Sequence, residues 1–222
     1  MEESSFLRWT TQKSDYVIVH DPLKRVFDTA FSLCFLICFS PLFLLLSLLV
    51  YFSSPGPIFY GHERIGRAGK KIKCWKFRTM HKNADKILTK MLKKNPVMQA
   101  EWNLYYKLKS DPRITPIGHF LRKTSLDELP QFFNVLVGEL SVVGPRPCVE
   151  KELHQNYGEK VLKILSIRPG ITGVWQTSGR NNLTREERVK IEETYIDHRT
   201  LLLDLKLILK TVPMMIFSKG AY

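Results

Sequence analysis

Apolar and polar positions along this 222-residue chain form one unbroken apolar block followed by shorter periodic runs. The block is residues 29–52, TAFSLCFLICFSPLFLLLSLLVYF, 24 positions without a charge. As a single helix it would measure about 36 Å, enough to cross a ~30 Å hydrocarbon layer. Ser40-Pro41 interrupts it in the middle. A proline lacks the backbone N–H and its ring crowds the preceding turn, so a sharp bend is expected there. Each side then holds 11 uncharged residues, about 16 Å of helix or half a bilayer. Lys24 and Arg25 precede the block, partly offset by Asp21 and Asp28, and Arg64, Arg67, Lys70, Lys71, Lys73, Lys76 and Arg78 follow it. Basic residues concentrate on the cytoplasmic side of a membrane. Positive flanks at both ends therefore favour a re-entrant helix, entering and leaving by one face, over a straight span. A cleavable leader does not fit, because its apolar core should be only ~7–15 residues long and end at a small-residue site.

Downstream, the turn signal SSPGP (residues 53–57) stops the helix. Residues 58–65 and 71–80, separated by GRAGK, read as a β-hairpin, with Ile72, Cys74 and Lys76 on one side. Ile87, Leu88, Met91 and Leu92 recur at helical spacing, predicting an amphipathic helix over 83–94 that stops near Asn95-Pro96. A second helix is expected over 97–108. Residues 130–137 form a short helix with Pro130 at its first position and Gly138 just past its end. Residues 140–143 form a strand candidate. Residues 150–165 and 184–203 read as helices on either side of a Gly-rich segment, 168–182. In the tail, LLLDLKLILKTVPMMIF (201–217), the embedded Asp204, Lys206 and Lys210 argue against a span. A helix lying in the membrane interface and one packed on the protein core both fit. The fold class is α+β and mainly helical: a membrane helix hairpin broken at Ser-Pro, a small β-hairpin and interfacial amphipathic helices. The segments expected are a loose arm over 1–22, the membrane helix over 23–53, and a catalytic domain over 54–222.

Charge narrows the partners. The net charge is +13 and the pI about 9.6, which implies an anionic partner. Beside a membrane element, lipid headgroups and phosphorylated substrates outrank nucleic acid, and no nucleic-acid partner is expected. The four cysteines form no framework: Cys34 and Cys38 lie in the apolar block, while Cys74 and Cys148 are isolated, which fits a reducing compartment.

The candidate chemistry centres on RKTSLDELPQ, residues 122–131. Asp127 and Glu128 are adjacent carboxylates just ahead of a helix N-terminus, whose partial positive charge favours their ionised forms. Ser125 with Glu128 also fits a capping box, a purely structural use, although Pro130 would spoil the longer helix that this requires. Neighbouring residues do not share a helix face, so a division of labour suits the pair: one as nucleophile, one holding a hard cation. Arginines recur in turns: Arg78 in KFRTM, Arg113 in DPRITPIG, Arg122, Arg146 in GPRP, Arg168 in RPG and Arg180 in SGRN. A lone arginine is usually a solvated charge. In a Pro- or Gly-defined turn its guanidinium can meet phosphate bidentately. The spacing of Gly170, Gly173 and Gly179 is a weak phosphate-loop signal.

Together KRVFD (24–28), the Ser40-Pro41 break, SPGPIFY, KFRTM, DPRITPIGHFLRKTSLDELPQFFNVL, GELSVVGPRP, RPGITGVWQTSGRN and the terminal GAY resemble the bacterial sugar transferase family, the monotopic phosphoglycosyl transferases. The resemblance covers residues 24–222. It implies transfer of a sugar-1-phosphate from a UDP-sugar to undecaprenyl phosphate with release of UMP. In that family the aspartate matching Asp127 is the nucleophile of a covalent intermediate, and the glutamate matching Glu128 is associated with Mg²⁺. Its basic positions match Lys76, Arg122 and Arg146, and its re-entrant helix matches the break at Ser40-Pro41. Residues 83–109, with AEW (100–102), resemble hexose-1-phosphate transferases that begin exopolysaccharide, capsule or O-antigen synthesis. Galactose or glucose is the first expectation for the sugar and N-acetylated amino sugars the second. Large members carry several further N-terminal spans, and no such stretch precedes residue 29 here. Phe133 stands where relatives often have tryptophan. The resemblance further implies a bacterial inner membrane with the catalytic domain on its cytoplasmic face, and it leaves a homodimer open. The competing class is a membrane-attached scaffold without catalysis, which would not depend on the Asp127 carboxylate.

Overall fold

The computed structural model describes residues 18–105, 108–178 and 183–216. Most of the expected arm and the terminal GAY lie outside them. The apolar block forms two helices, α1 (Pro22–Cys38) and α2 (Ser40–Ser53), bent by 66° at Phe39. The cause is Pro41, whose ring also crowds the preceding turn. In a continuous helix the residue-41 N–H would bond the Ile37 carbonyl, four residues back, and Pro41 has none. The Ser40 hydroxyl donates to that carbonyl instead, at 2.8 Å. No single helix among the described residues is long and apolar enough to cross a membrane, whereas the bent pair meets the test by length and composition.

The hairpin forms as expected, β1 (Phe59–Ile65) antiparallel to β2 (Lys71–Phe77), with Tyr60 opposite Lys76 and His62 opposite Cys74. β2 ends three residues earlier than the pattern suggested. Arg78 turns inward, and Met80 makes only an isolated bridge to Ile114. Then come α3 (Ala84–Lys94) and α4 (Pro96–Tyr105), the latter beginning at the proline, a favoured first-turn residue. Helix α5 (Pro116–Thr124) is capped by the Thr115 hydroxyl, and a 3₁₀ turn (Leu126–Glu128) leads to α6 (Gln131–Val137). Gly138 closes α6 at φ 85°.

Beyond α6 the sequence reading needs correction in three places. Strand β3 (Ser141–Val143) pairs in parallel with a strand the pattern did not show, β4 (Gly170–Thr172), inside the Gly-rich segment. A Cβ on Gly170 would lie 2.1 Å from the Gly144 amide nitrogen, and one on Gly173 would lie 2.2 Å from the Gly144 carbonyl oxygen. These glycines permit backbone to pack on backbone, which accounts for them without a phosphate loop; Gly179 lies outside the described residues. The expected helix over 150–165 is broken into α7 (Glu150–Tyr157) and α8 (Val161–Ile164) at Gly158, whose φ of 50° leaves the helical region. After the short α9 (Val174–Thr177), the run over 184–203 divides into α10 (Arg185–His198) and α11 (Leu201–Ile216), with Thr200 capping the second.

Helix α11 is packed on the core along one face: Leu207 is buried and Asp204 fully so. Its other face exposes Leu202, Leu205, Leu209 and Val212. Asp204 accepts hydrogen bonds from Lys24 Nζ and the Tyr195 hydroxyl, both at 2.7 Å. Lys24 also faces Asp28 at 3.4 Å, and Asp28 accepts from Ser141 Oγ and the Val142 amide. The polar end of α1 is thereby tied to β3 and α11. Removing one partner of a buried pair strands the other charge, at a cost of about 3–5 kcal/mol. Asp204→Leu should lower stability by about that amount, and Lys24→Met in the same chain should recover part of the loss. Thermal unfolding of the detergent-solubilised variants checks both.

Candidate active site

Asp127 and Glu128 sit in the 3₁₀ turn because α5 stops at Ser125, which adopts a left-handed conformation at φ 57°. A residue held there cannot cap forwards: the Ser125 side chain makes no capping bond, so the capping-box alternative is not what forms. Asn134, fully buried on α6, locks this segment to the hairpin. Its side chain accepts from the Trp75 amide at 3.0 Å and donates to the Lys73 carbonyl at 2.7 Å and to Glu139 at 2.6 Å. That contact sets Lys76 of β2 against the carboxylates. Lys76 Nζ lies 2.5 Å from Glu128 Oε1 and 3.9 Å from Asp127 Oδ2.

The two carboxyls then diverge. Burial pushes Asp127 up to about 6, helped by the Glu128 charge and opposed by Lys76 and Arg122. Burial would raise Glu128 too, but the Lys76 charge and hydrogen bond, with Arg146 and a hydrogen bond from Gln131, hold it below the usual carboxylate range. A buried, weakly stabilised carboxylate beside a firmly ionised one is the arrangement in which one group reacts and the other stays anionic.

Among the sequence candidates, Lys76, Arg122 and Arg146 converge here. Arg122 is oriented by a 2.9 Å bond from Nε to the Thr79 hydroxyl. The Arg146 guanidinium lies over Trp175, 5.1 Å from the ring centroid, and Arg188 lies over the same ring at 4.2 Å. Arg78 and Arg168 are engaged elsewhere. Arg78 is buried and donates to the Val50 and Ser54 carbonyls, holding the end of α2. Arg168 donates to the Gly138 carbonyl at the far end of α6, where Arg25 binds the carbonyls of Val135 and Leu136; cations there meet the negative end of the helix dipole. Arg180 lies outside the described residues. Ser40 and Pro41 stand at the bend.

Several site residues escaped the sequence reading. Asn134 and Gln131 carry no chemical signature in an apolar helix. Buried Glu192 accepts from the Tyr157 hydroxyl at 2.5 Å and from the Arg146 amide at 3.4 Å, yet in sequence it looks like any carboxylate of a charged helix. Gln131, Asn134 and Trp175 all stand inside the motifs that carry the family resemblance, but none has a role legible from its residue type.

The bacterial sugar transferase family model matches residues 19–218. The chain belongs to the bacterial sugar transferase family. It is 49% identical over 199 residues to the exopolysaccharide production protein ExoY of Sinorhizobium fredii, covering 90% of this chain and 88% of that one. It is 46% identical over 200 residues to the undecaprenyl-phosphate galactose phosphotransferase of Salmonella typhimurium, and 38% identical over 208 residues to the UDP-glucose:undecaprenyl-phosphate glucose-1-phosphate transferase of Escherichia coli. Each of these last two alignments covers 90% of this chain, but only 42% and 41% of the respective relative. This sugar transferase is an enzyme, and the scaffold alternative falls away. Its Lys76 favours the ionised form of Asp127, so removing that cation must raise the proton affinity of the carboxyl. In ¹³C NMR of carboxyl-labelled aspartate, Asp127 should titrate near pH 6, and in Lys76→Met at a higher pH. An unchanged or lower midpoint in the variant would contradict this electrostatic arrangement.

Proposed function

We propose that this sugar transferase moves a hexose-1-phosphate, of galactose or glucose, from a UDP-sugar to undecaprenyl phosphate through a covalent aspartyl intermediate, opening exopolysaccharide, capsule or O-antigen synthesis. The observation that carries the reading is the buried Asp127 carboxylate, raised towards 6 and flanked by Lys76, Arg122 and Glu128. Relatives named for galactose and for glucose transfer support a hexose donor.

An Asp127 oxygen attacks the β-phosphorus of the donor. The bond from that phosphorus to the bridging oxygen breaks, and UMP leaves with the electron pair. A phosphate oxygen of the lipid then attacks the same phosphorus, restores the Asp127 carboxylate and yields the lipid diphosphate sugar. Lys76, Arg122 and Arg146 meet the negative charge that two anions bring together, and fixed charges in a partly dry site stabilise a transition state strongly. Arg146 is braced by Pro145, Pro147 and the Trp175 ring, which restricts where its fork can point. Mg²⁺ is commonly held by one or two carboxylates together with substrate phosphates. Glu128, with one oxygen on Lys76, fits that mode and would hold the ion, which supplies further charge neutralisation when bound. Among the described residues no larger metal cluster competes.

The bent helix pair suits a membrane-bound acceptor. Leu33, Ile37, Leu44, Leu45, Leu48 and Phe52 are exposed on it, an apolar surface that water does not favour. We place it in the cytoplasmic leaflet of a bacterial inner membrane as a re-entrant element, its far side held by the protein.

Incubation with donor alone should label the wild-type chain with sugar phosphate and release at most one UMP per site. Asp127→Asn should abolish the label, and Glu128→Gln should lower turnover by at least tenfold while weakening its Mg²⁺ dependence. A labelled Asp127→Asn chain would remove Asp127 from the role. For topology, single cysteines at His20 and Lys73 should react with an impermeant reagent from the same side of inverted vesicles. Opposite sides would establish a span.

A further inference from the structure

One face of the hairpin connects the carboxylate site to a second concavity. Strand partners point to the same face, so Tyr60, His62 and Arg64 share a side with Lys76, Cys74 and Ile72. The Phe59/Phe77 end of the hairpin is seated on α2, with Phe77 5.8 Å from Phe43. The row from Tyr60 to Arg64 therefore runs away from the membrane helices, over about 14 Å at ~3.4 Å per residue. It ends in a groove of about 320 Å³ lined by His62, Arg64, Val149 and Glu150 among others. The opposite wall also starts in the site. Val149 and Glu150 follow Arg146 by three and four residues, and the Ile65 amide bonds the Cys148 carbonyl at 2.9 Å to close the two walls together.

We propose that this groove is the nucleoside subsite of the donor, holding its base and ribose while the diphosphate lies between Lys76 and Arg146. The proposal rests on the transferase reading above. Its volume lies at the lower end of the ~300–1,000 Å³ typical of small-molecule sites, room for a nucleoside and not for a whole nucleotide sugar. Its charges are mixed. Arg64 is balanced by Glu152 at 3.7 Å and lies 3.2 Å from His62 Nδ1, so this is not a second phosphate clamp. A guanidinium can donate to the carbonyl oxygens of uracil, and a carboxylate such as Glu150 can accept from ribose hydroxyls, the use nucleotide-binding folds make of an acidic residue. Burial and the neighbouring Arg64 and Lys76 lower the His62 pKa, leaving a neutral imidazole beside Tyr60, with ring centroids 6.1 Å apart, as a surface for a base. Placement at the end remote from α2 lets a water-soluble nucleotide enter without crossing the lipid acceptor's path.

The test compares two probes on the full chain in detergent, UDP and inorganic pyrophosphate, by calorimetric titration, alongside donor kinetics. In Arg64→Ala and in His62→Ala, UDP should bind at least tenfold more weakly and donor KM should rise by a similar factor, with kcat within twofold. Pyrophosphate, which lacks the nucleoside, should bind all three chains alike. Should Arg64→Ala fail to fold, His62→Ala and Glu150→Ala carry the same comparison. Equal UDP affinity in wild type and groove variants overturns the subsite and leaves the transferase reading standing. Groove-dependent UDP binding by a wild-type chain that transfers no sugar phosphate from UDP-glucose or UDP-galactose overturns the hexose-donor reading and leaves the subsite standing.

Discussion

The constraint that organises this molecule is Pro41, which has no N–H for the Ile37 carbonyl four residues back. A proline inside a helix costs about 3 kcal/mol, through the missing hydrogen bond and the clash of its ring with the preceding turn. The chain bends by 66° there, and the Ser40 hydroxyl donates to the Ile37 carbonyl. The bend gives the two halves different partners on one short helix. Phe35 of α1 stacks on Phe132 with centroids 4.0 Å apart, while Phe43 of α2 meets Phe133 edge-on at 5.9 Å. Helix α6 is thus clasped between the two halves, and the Asp-Glu turn that immediately precedes it is held beside the apolar element.

Polar residues in the clasp complete the attachment. Asp28 at the start of α1 and Asp204 on α11 are among the most buried charged groups of the described residues, and each finds a partner across more than a hundred residues of sequence, Asp204 in the half-buried Lys24. Such groups specify how helices must dock, because a shifted helix would strand a charge. Arg25 and Arg78 act alike on the ends of α6 and α2, taking up the last carbonyls of each helix. With Arg168 on Gly138, three of the basic residues that first suggest an anionic ligand are taken up on helix ends.

The remaining cations define the site by convergence. Asp127 and Glu128 are chemically near-equivalent and adjacent, yet one is buried and pushed up while the other is held down by Lys76. The asymmetry comes from the 3₁₀ turn, which directs consecutive side chains into unlike surroundings. A regular helix would also have separated them, but without setting Asp127 against β2.

Local chemistry in the chain determined a good deal by itself. The bend at Ser40-Pro41, the hairpin about GRAGK, α6 with its glycine stop, and the Asp-Glu pair all follow from proline, glycine and alternation acting within a few residues. What the tertiary structure decided are choices between equal local signals. The same Ser/Thr-x-x-Glu pattern occurs at Ser125 and at Thr184; only Thr184 forms the reciprocal box, because Ser125 is already used in ending α5. Arginines that look alike in Pro- and Gly-defined turns divide into Arg122 and Arg146 beside the carboxylates and Arg78 and Arg168 on carbonyls. Strand β4 hides in a Gly-rich run because its pairing partner lies 29 residues away, from Ser141 to Gly170. The tail helix could lie on a membrane or on the core by its own pattern, and Lys24, at the other end of the chain, draws Asp204 inward. Short-range rules read backbone geometry well; the use of a charge depends on which distant atoms folding places beside it.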